Sequence, residues 1–382
     1  MSNDTQPEIR FPGFTEDWEQ RKLGDFIDVK SGKDYKHLNS GSIPVYGTGG
    51  YMLSVDRALS DIDAIGIGRK GTIDKPYLLK APFWTVDTLF YAVPKQNIDL
   101  QFSLSIFKKI NWKKFDESTG VPSLSKTVIN SVGASVPSYE EQQKIGSFFK
   151  QLDETIALHQ RKLDLLKETK KGFLQKMFPK NGAKVPEIRF PGFTEDWEQR
   201  KLGELATIVR GASPRPIQDP KWFDTESDVG WLRIADVTEQ DGRIYYLEQH
   251  ISKLGQEKTR VLVEPHLLLS IAATVGKPVV NYVKTGVHDG FLIFLNAIFD
   301  REFMFQWLEM FRPKWQKYGQ PGSQVNLNSE LVRNQEILIP NNEEQQKIGS
   351  FFKQLDDTIA LHQRELDVLK ETKKGFLQKM FV

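Results

Sequence analysis

The sequence predicts an α+β protein with two globular α/β domains, separated by a pair of long antiparallel coiled-coil helices. Three observations predict this fold: a short segment that occurs twice, a longer segment with helical periodicity that also occurs twice, and two divergent segments between the repeats. The length of 382 residues suits two domains better than one core. Internal duplication of this kind predicts a pseudo-two-fold axis.

The short repeat opens each half of the chain. Residues 7–24 and residues 186–203 carry the same letters, PEIRFPGFTEDWEQRKLG, at an offset of 179 positions. We therefore expect a first domain at 1–139 and a second at 186–342, with a linker at 179–185. The same offset aligns two glycines that follow the repeat, and we expect equivalent loops there: Gly32 and Gly211.

The long repeat is predicted to form one helix per copy, over 140–178 and 343–382. At an offset of 203 positions the copies differ at three places only. Ser138 precedes Glu141 by three residues, which is the spacing of a helix-capping box. Apolar residues recur at the alternating four- and three-residue spacing of a coiled coil. In the first copy they are Ile145, Phe149, Leu152, Ile156, Leu163, Leu166 and Met177.

Two histidines at core positions of this pattern, His159 and His362, allow two interpretations. A polar pair that fixes the register of the helices is the favoured one. A metal site is the alternative, and we predict no metal site on sequence grounds.

Composition excludes several classes of protein. The 52 basic and 50 acidic residues leave a net charge of +2, so a nucleic-acid site would have to be a local patch. With no cysteine, the chain has no disulfide, thiolate metal site or cysteine nucleophile. No apolar run is long enough for a bilayer, and the polar N-terminus lacks a signal-peptide core, so we expect a cytoplasmic protein without membrane contact.

Neither divergent segment carries a recognisable catalytic motif. Walker A, HExxH and GxSxG patterns are absent, as is a GxGxxG between a strand and a helix. Glycine-rich stretches at 47–50 and 66–71 allow a phosphate loop, but turns of a small sheet are favoured. We therefore predict no catalytic residue.

Basic, polar and aromatic side chains near the predicted loops are candidates for nucleic-acid contact. Arginine and lysine bind phosphate or guanine, and asparagine and glutamine can read adenine. For each residue taken alone, a solvated surface position is the alternative. The candidates are Lys33, Tyr46, Arg69, Lys70, Trp84 and Ser123 in the first segment, and Arg210, Ser213, Arg215, Arg233, Lys277, Gln324 and Asn326 in the second.

The order of these parts resembles, over the whole chain, the specificity subunit of type I restriction-modification systems. The segments that carry the resemblance are PGFTEDWEQRKLG at the start of each half, EEQQKIGSFFKQLD at the start of each long helix, LLSIAATVGKP at 268–278 and GSQVNLNSEL at 322–331.

This resemblance implies a DNA-reading subunit that is not an enzyme. Two target-recognition domains would each read one half of a bipartite site in double-stranded DNA. The long helices would dock two modification (methyltransferase) subunits, and restriction/motor subunits would complete the assembly. S-adenosylmethionine, ATP and Mg would belong to those partners, with no cofactor in this chain. The predicted docking residues are Lys150, Gln151, Gln160, Lys353, Gln354 and Gln363. The alternative is a duplicated coiled-coil scaffold that binds two protein partners without DNA.

Overall fold

The chain folds into two units, and each unit includes part of both long helices. The computed structural model describes residues 6–180, 182–318 and 327–382. Unit 1 comprises Met1–Lys162 and His362–Val382, and unit 2 comprises Leu163–Leu361. The sequence placed the domain borders at the starts of the helices, whereas the contacts divide each helix near its middle.

The elements follow one another in the same general order in the two halves of the chain. The first half contains β1 (Glu19–Lys22), α1 (Leu23–Phe26), β2 (Ile27–Ser31), β3 (Ser40–Gly47), β4 (Gly50–Val55), β5 (Ala64–Gly68), β6 (Tyr77–Leu79), β7 (Trp84–Thr85), β8 (Leu89–Pro94), α2 (Leu100–Lys109), α3 (Lys126–Ser131), β9 (Gly133–Val136) and α4 (Tyr139–Lys176). The second half contains β10 (Glu198–Lys201), α5 (Leu202–Leu205), β11 (Thr207–Arg210), β12 (Gly230–Trp231), α6 (Ile234–Glu239), β13 (Arg243–Ile244), α7 (Lys253–Gln256), β14 (Arg260–Leu262), β15 (Leu267–Ser270), β16 (Pro278–Asn281), β17 (Thr285–Val287), β18 (Phe291–Leu295), α8 (Arg301–Trp315), α9 (Ser329–Asn334), β19 (Glu336–Ile339) and α10 (Asn342–Lys379). Short 3-10 helices occur at Trp112–Phe115, Pro220–Trp222 and Gln316–Tyr318.

The main sheets of the two units share one strand order. In unit 1 the order is β2-β8-β5-β6, and in unit 2 it is β11-β18-β15-β16 with β13 added at the edge. The registers agree as well, because Gly68 pairs with Leu89 in unit 1 where Ser270 pairs with Phe291 in unit 2. Each unit also has a smaller three-stranded sheet, β4-β3-β7 or β12-β17-β14. The duplication therefore extends into segments whose sequences have diverged.

The aligned glycines occupy equivalent tight contacts. A side chain at Gly32 would place its Cβ 2.0 Å from the carbonyl oxygen of Val86, and at Gly211 it would lie 2.1 Å from that of His288. Only glycine lets the backbone approach so closely. The predicted equivalence of these two loops is confirmed.

The short repeat holds the start of each long helix. Strand β1 pairs with β9, and β10 pairs with β19, in matching antiparallel registers. Arg10 donates two hydrogen bonds of 2.8 Å to the buried carboxylate of Glu141, and Arg189 does the same to Glu344 at 2.7 and 2.8 Å. These bidentate pairs explain why the repeat and the helix start remain alike in both copies.

The N-cap half of the predicted capping box is present in both helices. The backbone N–H of Glu141 lies 3.4 Å from the Ser138 hydroxyl, and that of Glu344 donates to the Asn341 side chain at 3.0 Å, while the two glutamate carboxylates bind Arg10 and Arg189. Each helix spans 38 residues. The predicted helices 140–178 and 343–382 therefore agree with the structure to within a few residues at each end.

The two long helices run antiparallel in each unit, as predicted. In unit 1, Phe148 of α4 packs edge-on against Phe376 of α10 at 5.1 Å between ring centroids, and Lys373 forms an ion pair with Asp153. Both contacts recur in unit 2 between the equivalent residues, Phe173 with Phe351 and Lys170 with Asp356. The N-terminal half of each helix thus meets the C-terminal half of the other.

The C-terminal end of each helix completes a core. Phe381 stacks against Phe102 at 5.6 Å and lies edge-on to Trp18 in unit 1. In unit 2, Phe178 makes comparable contacts with Trp197 and Phe303. Because Trp18, Phe178, Trp197 and Phe381 come from the repeats, the repeats form part of each hydrophobic core.

Candidate nucleic-acid interface

In unit 1 the candidate surface centres on the loop that follows β5. Arg69 and Lys70 are exposed there, and Lys70 forms an isolated antiparallel bridge with Ser123. The N–H of Leu124 donates to the Arg69 carbonyl at 2.9 Å. The fold therefore brings Ser123 next to Arg69 and Lys70, which precede it by more than fifty positions in the sequence.

The Arg69 side chain lies in a groove beside the turn between β7 and β8. Its Nη1 lies 3.4 Å from the Asp87 carbonyl oxygen, and its guanidinium lies 5.9 Å from the centre of the Phe90 ring. A carbonyl and a ring face hold the guanidinium without neutralising its charge, so it remains able to bind an anion. The groove is lined by Ser31, Arg69, Lys70, Phe90, Glu117, Ser123, Leu124, Ser125 and Lys126.

The remaining predicted residues of unit 1 lie near the smaller sheet. Lys33 is exposed, and its carbonyl accepts a 2.8 Å hydrogen bond from the indole of Trp84. Trp84 is only 4% exposed and packs in the core of that sheet, so its predicted DNA contact requires correction: the ring stabilises the fold. Tyr46 is half-buried between Tyr77 and Tyr51. Tyr51 is 62% exposed and is the aromatic side chain of this group that is open to a base.

In unit 2, three of the predicted residues form hydrogen bonds with Asp289. Asp289 accepts hydrogen bonds from the Ser213 hydroxyl at 2.8 Å and from Arg215 Nη2 at 2.7 Å, while Arg210 Nε donates to its backbone carbonyl at 2.6 Å. Burial would raise the pKa of Asp289, but the Ser213 hydrogen bond and the two guanidinium groups outweigh burial and lower it. The carboxylate therefore orders the arginines at neutral pH.

Arg260 belongs to the same cluster, although the sequence did not indicate it. Its Nε donates to the Arg210 carbonyl at 2.7 Å, and the residue is exposed at the start of β14. Arg210 and Arg215 thus contact Asp289 and Arg260 contacts Arg210, which leaves a surplus of positive charge at this surface. Such a cluster can bind the phosphate backbone of DNA.

The other predicted residues of unit 2 are not part of this cluster. Arg233 pairs with Asp236 at 2.7 Å and with Glu248 at 3.0 Å, so its charge is matched locally. The predicted DNA contact of Lys277 requires correction. Its side chain is only 11% exposed, and its ammonium lies 2.5 Å from a carboxylate oxygen of Asp241 and 2.5 Å from one of Glu309. These ion pairs hold Lys277 in the interior of unit 2. The predicted contacts Gln324 and Asn326 lie outside the described residues.

The two units present different side chains at equivalent backbone positions. The N–H of Arg69 donates to the Thr88 carbonyl, and the N–H of Ile271 donates to the Gly290 carbonyl in the equivalent turn. The basic pair of unit 1 is therefore replaced by Ile271 and Ala272 in unit 2. One framework carries two different surfaces, as expected if the units bind different sequences.

Alanine at both Arg69 and Lys70 should weaken binding to every DNA sequence alike. Each side chain that neutralises a phosphate contributes about 0.9 to the slope of log affinity against log salt, so we expect a slope shallower by up to about two. Titrations of the assembled complex with duplex DNA at several salt concentrations measure this. Lys80→Ala, an exposed lysine of unit 1 that pairs with Asp63 and is not a candidate contact, is the control and should leave the slope unchanged. Loss confined to one base of the target would contradict phosphate binding.

The predicted docking residues lie along the long helices. Lys150 is exposed beside Glu154 at 3.9 Å, and Lys353 pairs with Asp357 at 2.5 Å. Gln151 and Gln354 are exposed one residue further on, while Gln160 and Gln363 are partly buried near the middle of each helix. Gln354 also lines a groove of unit 2 together with Phe190, Glu343, Gln346, Lys347, Ser350 and Phe351.

A duplicated framework with two different basic surfaces and paired helices defines a nucleic-acid specificity protein. The family model described as "Type I restriction modification DNA specificity domain" matches residues 15–168 and 194–371, and the chain belongs to this family. DNA target recognition is the function of that family domain. The alternative of a scaffold without DNA has no support from the comparisons.

Similar proteins agree with this assignment over nearly the whole chain. The Type I restriction enzyme MjaVIII specificity subunit of Methanocaldococcus jannaschii is 23% identical, with 95% of this chain and 91% of that protein covered. The putative MjaX specificity subunit of the same organism is also 23% identical, with 95% and 92% covered. The crystal structure of the type I S subunit from M. genitalium has a TM-score of 0.72 at 14% identity and covers 99% of both chains.

Within the described ranges, no helix is long and apolar enough to cross a membrane.

Proposed function

We propose that this chain selects a bipartite target in double-stranded DNA, with one half-site read by each unit. The observation that carries this proposal is the shared strand order and register of the main sheets, combined with different side chains at the equivalent loop. A common framework places two reading surfaces in the same way on each unit. Different loops give each unit its own sequence preference.

The chemistry of modification and cleavage resides in partner subunits under this proposal. Two methyltransferase subunits bring S-adenosylmethionine, and restriction/motor subunits bring ATP and Mg, so this chain itself contributes no catalytic residue and no cofactor. The complex works in the cytoplasm, where the DNA is. A similar solved structure, which concerns "complex assembly" of the type I R-M system and has a TM-score of 0.55 with 98% of this chain covered, supports assembly with partners.

The long helices supply the docking surfaces for the methyltransferase subunits. Large apolar side chains are exposed along both helices, where a docked partner would bury them. These positions are equivalent in the two copies: Leu158 is 59% exposed and Leu361 48%, while Leu165 is 68% exposed and Val368 65%. Two equivalent surfaces fit two copies of one partner.

Reversing the charge at both Lys150 and Lys353 should weaken assembly with the methyltransferase subunit more than it weakens folding. Both side chains lie on the repeated face and form ion pairs within their own helices, whose loss costs little stability. Co-purification of the glutamate variants with the tagged partner measures assembly, and circular dichroism measures folding. The matched control reverses Lys171 and Lys374, an equivalent exposed pair on the same helices. If the Lys150/Lys353 variant co-purified with the partner as well as the unmodified chain does, this face would not be part of the docking surface.

A further inference from the structure

Near the middle of the helix pair, unit 1 contains a cluster of two histidines and one glutamate. His159 of α4 and His362 of α10 are equivalent positions of the long repeat, and their rings lie 6.0 Å apart. Glu365 follows His362 by one helical turn. The equivalent residue in the first copy is Lys162, so this carboxylate arises from one of the three differences between the repeats.

One polar atom of each residue in the cluster lies close to those of the other two. Glu365 Oε2 lies 2.9 Å from His362 Nδ1 and 3.6 Å from His159 Nδ1. One ligand atom from each of the three residues lies within 4.8 Å of the other two. Ligands of a tetrahedral zinc ion at its usual bond lengths are separated by about 3.3 Å. The ligand atoms are therefore up to about 1.5 Å further apart than in an occupied zinc site, and rotation of the side chains would bring them around an ion.

The hydrogen bonding of the cluster is incomplete. Nδ1 of His159 is shielded from solvent and has no hydrogen-bond partner among the residues that the structure describes, although its ring is partly exposed. A polar pair that merely fixes helix register explains the bond between His362 and Glu365, but it leaves this nitrogen unsatisfied. A cation held between the three ligand atoms satisfies all of them.

We propose that His159, His362 and Glu365 bind one divalent transition-metal ion of the zinc type. Two imidazoles and a carboxylate are ligands that such ions accept, and a histidine and a glutamate three residues apart on one helix recur in metal sites of helical bundles. Water would occupy the fourth position. The ion joins two helices whose ligands are about two hundred residues apart in sequence, so it stabilises their pairing. The site is independent of the DNA that the chain recognises.

Metal titration of the full chain, without an affinity tag and freed of metal by a chelator, tests this proposal. We expect one equivalent of Zn²⁺ to bind and to raise the melting temperature. Co²⁺ should give the visible absorption of a four-coordinate site with nitrogen and oxygen ligands. Glu365→Lys introduces the residue that the first repeat carries at this position, so the helix should tolerate it. This variant and His159→Gln should each bind Zn²⁺ at least tenfold more weakly.

Glu371→Lys is the matched control, because this exposed glutamate lies on the same helix and pairs only with Lys374. It should bind Zn²⁺ as the unmodified chain does. Two results would overturn the proposal. One is a folded chain that binds neither Zn²⁺ nor Co²⁺, which would make the cluster a polar contact between helices. The other is stoichiometric binding that persists unchanged in both ligand variants, which would place the ion elsewhere.

Discussion

Exchanging residues 27–131 for the corresponding segment of a relative should change one half of the DNA target and leave the other half unchanged. The exchange keeps β1, β9 and the start of the long helix, so the paired frame around the new segment is intact. All candidate contacts of unit 1 lie inside the exchanged segment. Because specific sites are bound at least about a thousandfold more tightly than other DNA, methylation at the original sites should be lost almost completely.

Methylome sequencing of cells that carry the hybrid and its modification subunits measures the result. The reciprocal exchange, of residues 207–334 in unit 2, is the control and should alter only the other half of the motif. If either hybrid altered both halves while remaining active, recognition would not divide between the units. That result would contradict the modular interpretation of the duplication.

Replacing Glu141 by glutamine should destabilise unit 1 by about 2 to 3 kcal/mol. Arg10, whose side chain is 12% exposed, would lose its two charge-assisted hydrogen bonds to this carboxylate while keeping its bond to the Glu16 carbonyl, and hydrogen bonds to charged groups contribute about this much. Glu344→Gln should have the same effect on unit 2, where Arg189 occupies the equivalent place. Urea unfolding followed by circular dichroism measures both.

An exposed ion pair supplies the control for this prediction. Lys80 and Asp63 lie 2.7 Å apart at the surface of unit 1, with the lysine side chain 66% exposed. Lys80→Met should cost less than about 1 kcal/mol because water and salt screen the pair. Equal losses for Glu141→Gln and Lys80→Met would show that the short repeat does not anchor the helix through its arginine.

The helical part of the fold was predictable because its signals are local. Capping residues, apolar spacing and near-identity of the copies all lie within a single segment of about 40 residues. Strands such as β5, β8 and β18 also have a local signal, because each is a short run rich in apolar residues. What the sequence did not indicate is that each helix is shared between the units, since that depends on which half meets which partner.

The candidate site was only partly predictable because its contacts are remote in sequence. Asp289, in the turn before β18, and Arg260, in β14, join Arg210, and no spacing rule relates these positions. Lys277 looks like a surface cation in the sequence, yet Glu309 from α8 neutralises it inside the unit. Residue type therefore indicated the right chemistry, while the topology decided which side chains remain available to DNA.

Selection of bound duplexes from a random DNA library, with the chain assembled with its modification subunits, tests the central claim most directly. The selected sequences should contain two specified blocks separated by a spacer of constant length and unspecified sequence. The Arg69→Ala, Lys70→Ala variant should select the same two blocks with lower recovery. A single uninterrupted block, or recovery of DNA without any preferred sequence by an assembled complex, would contradict recognition of one half-site by each unit.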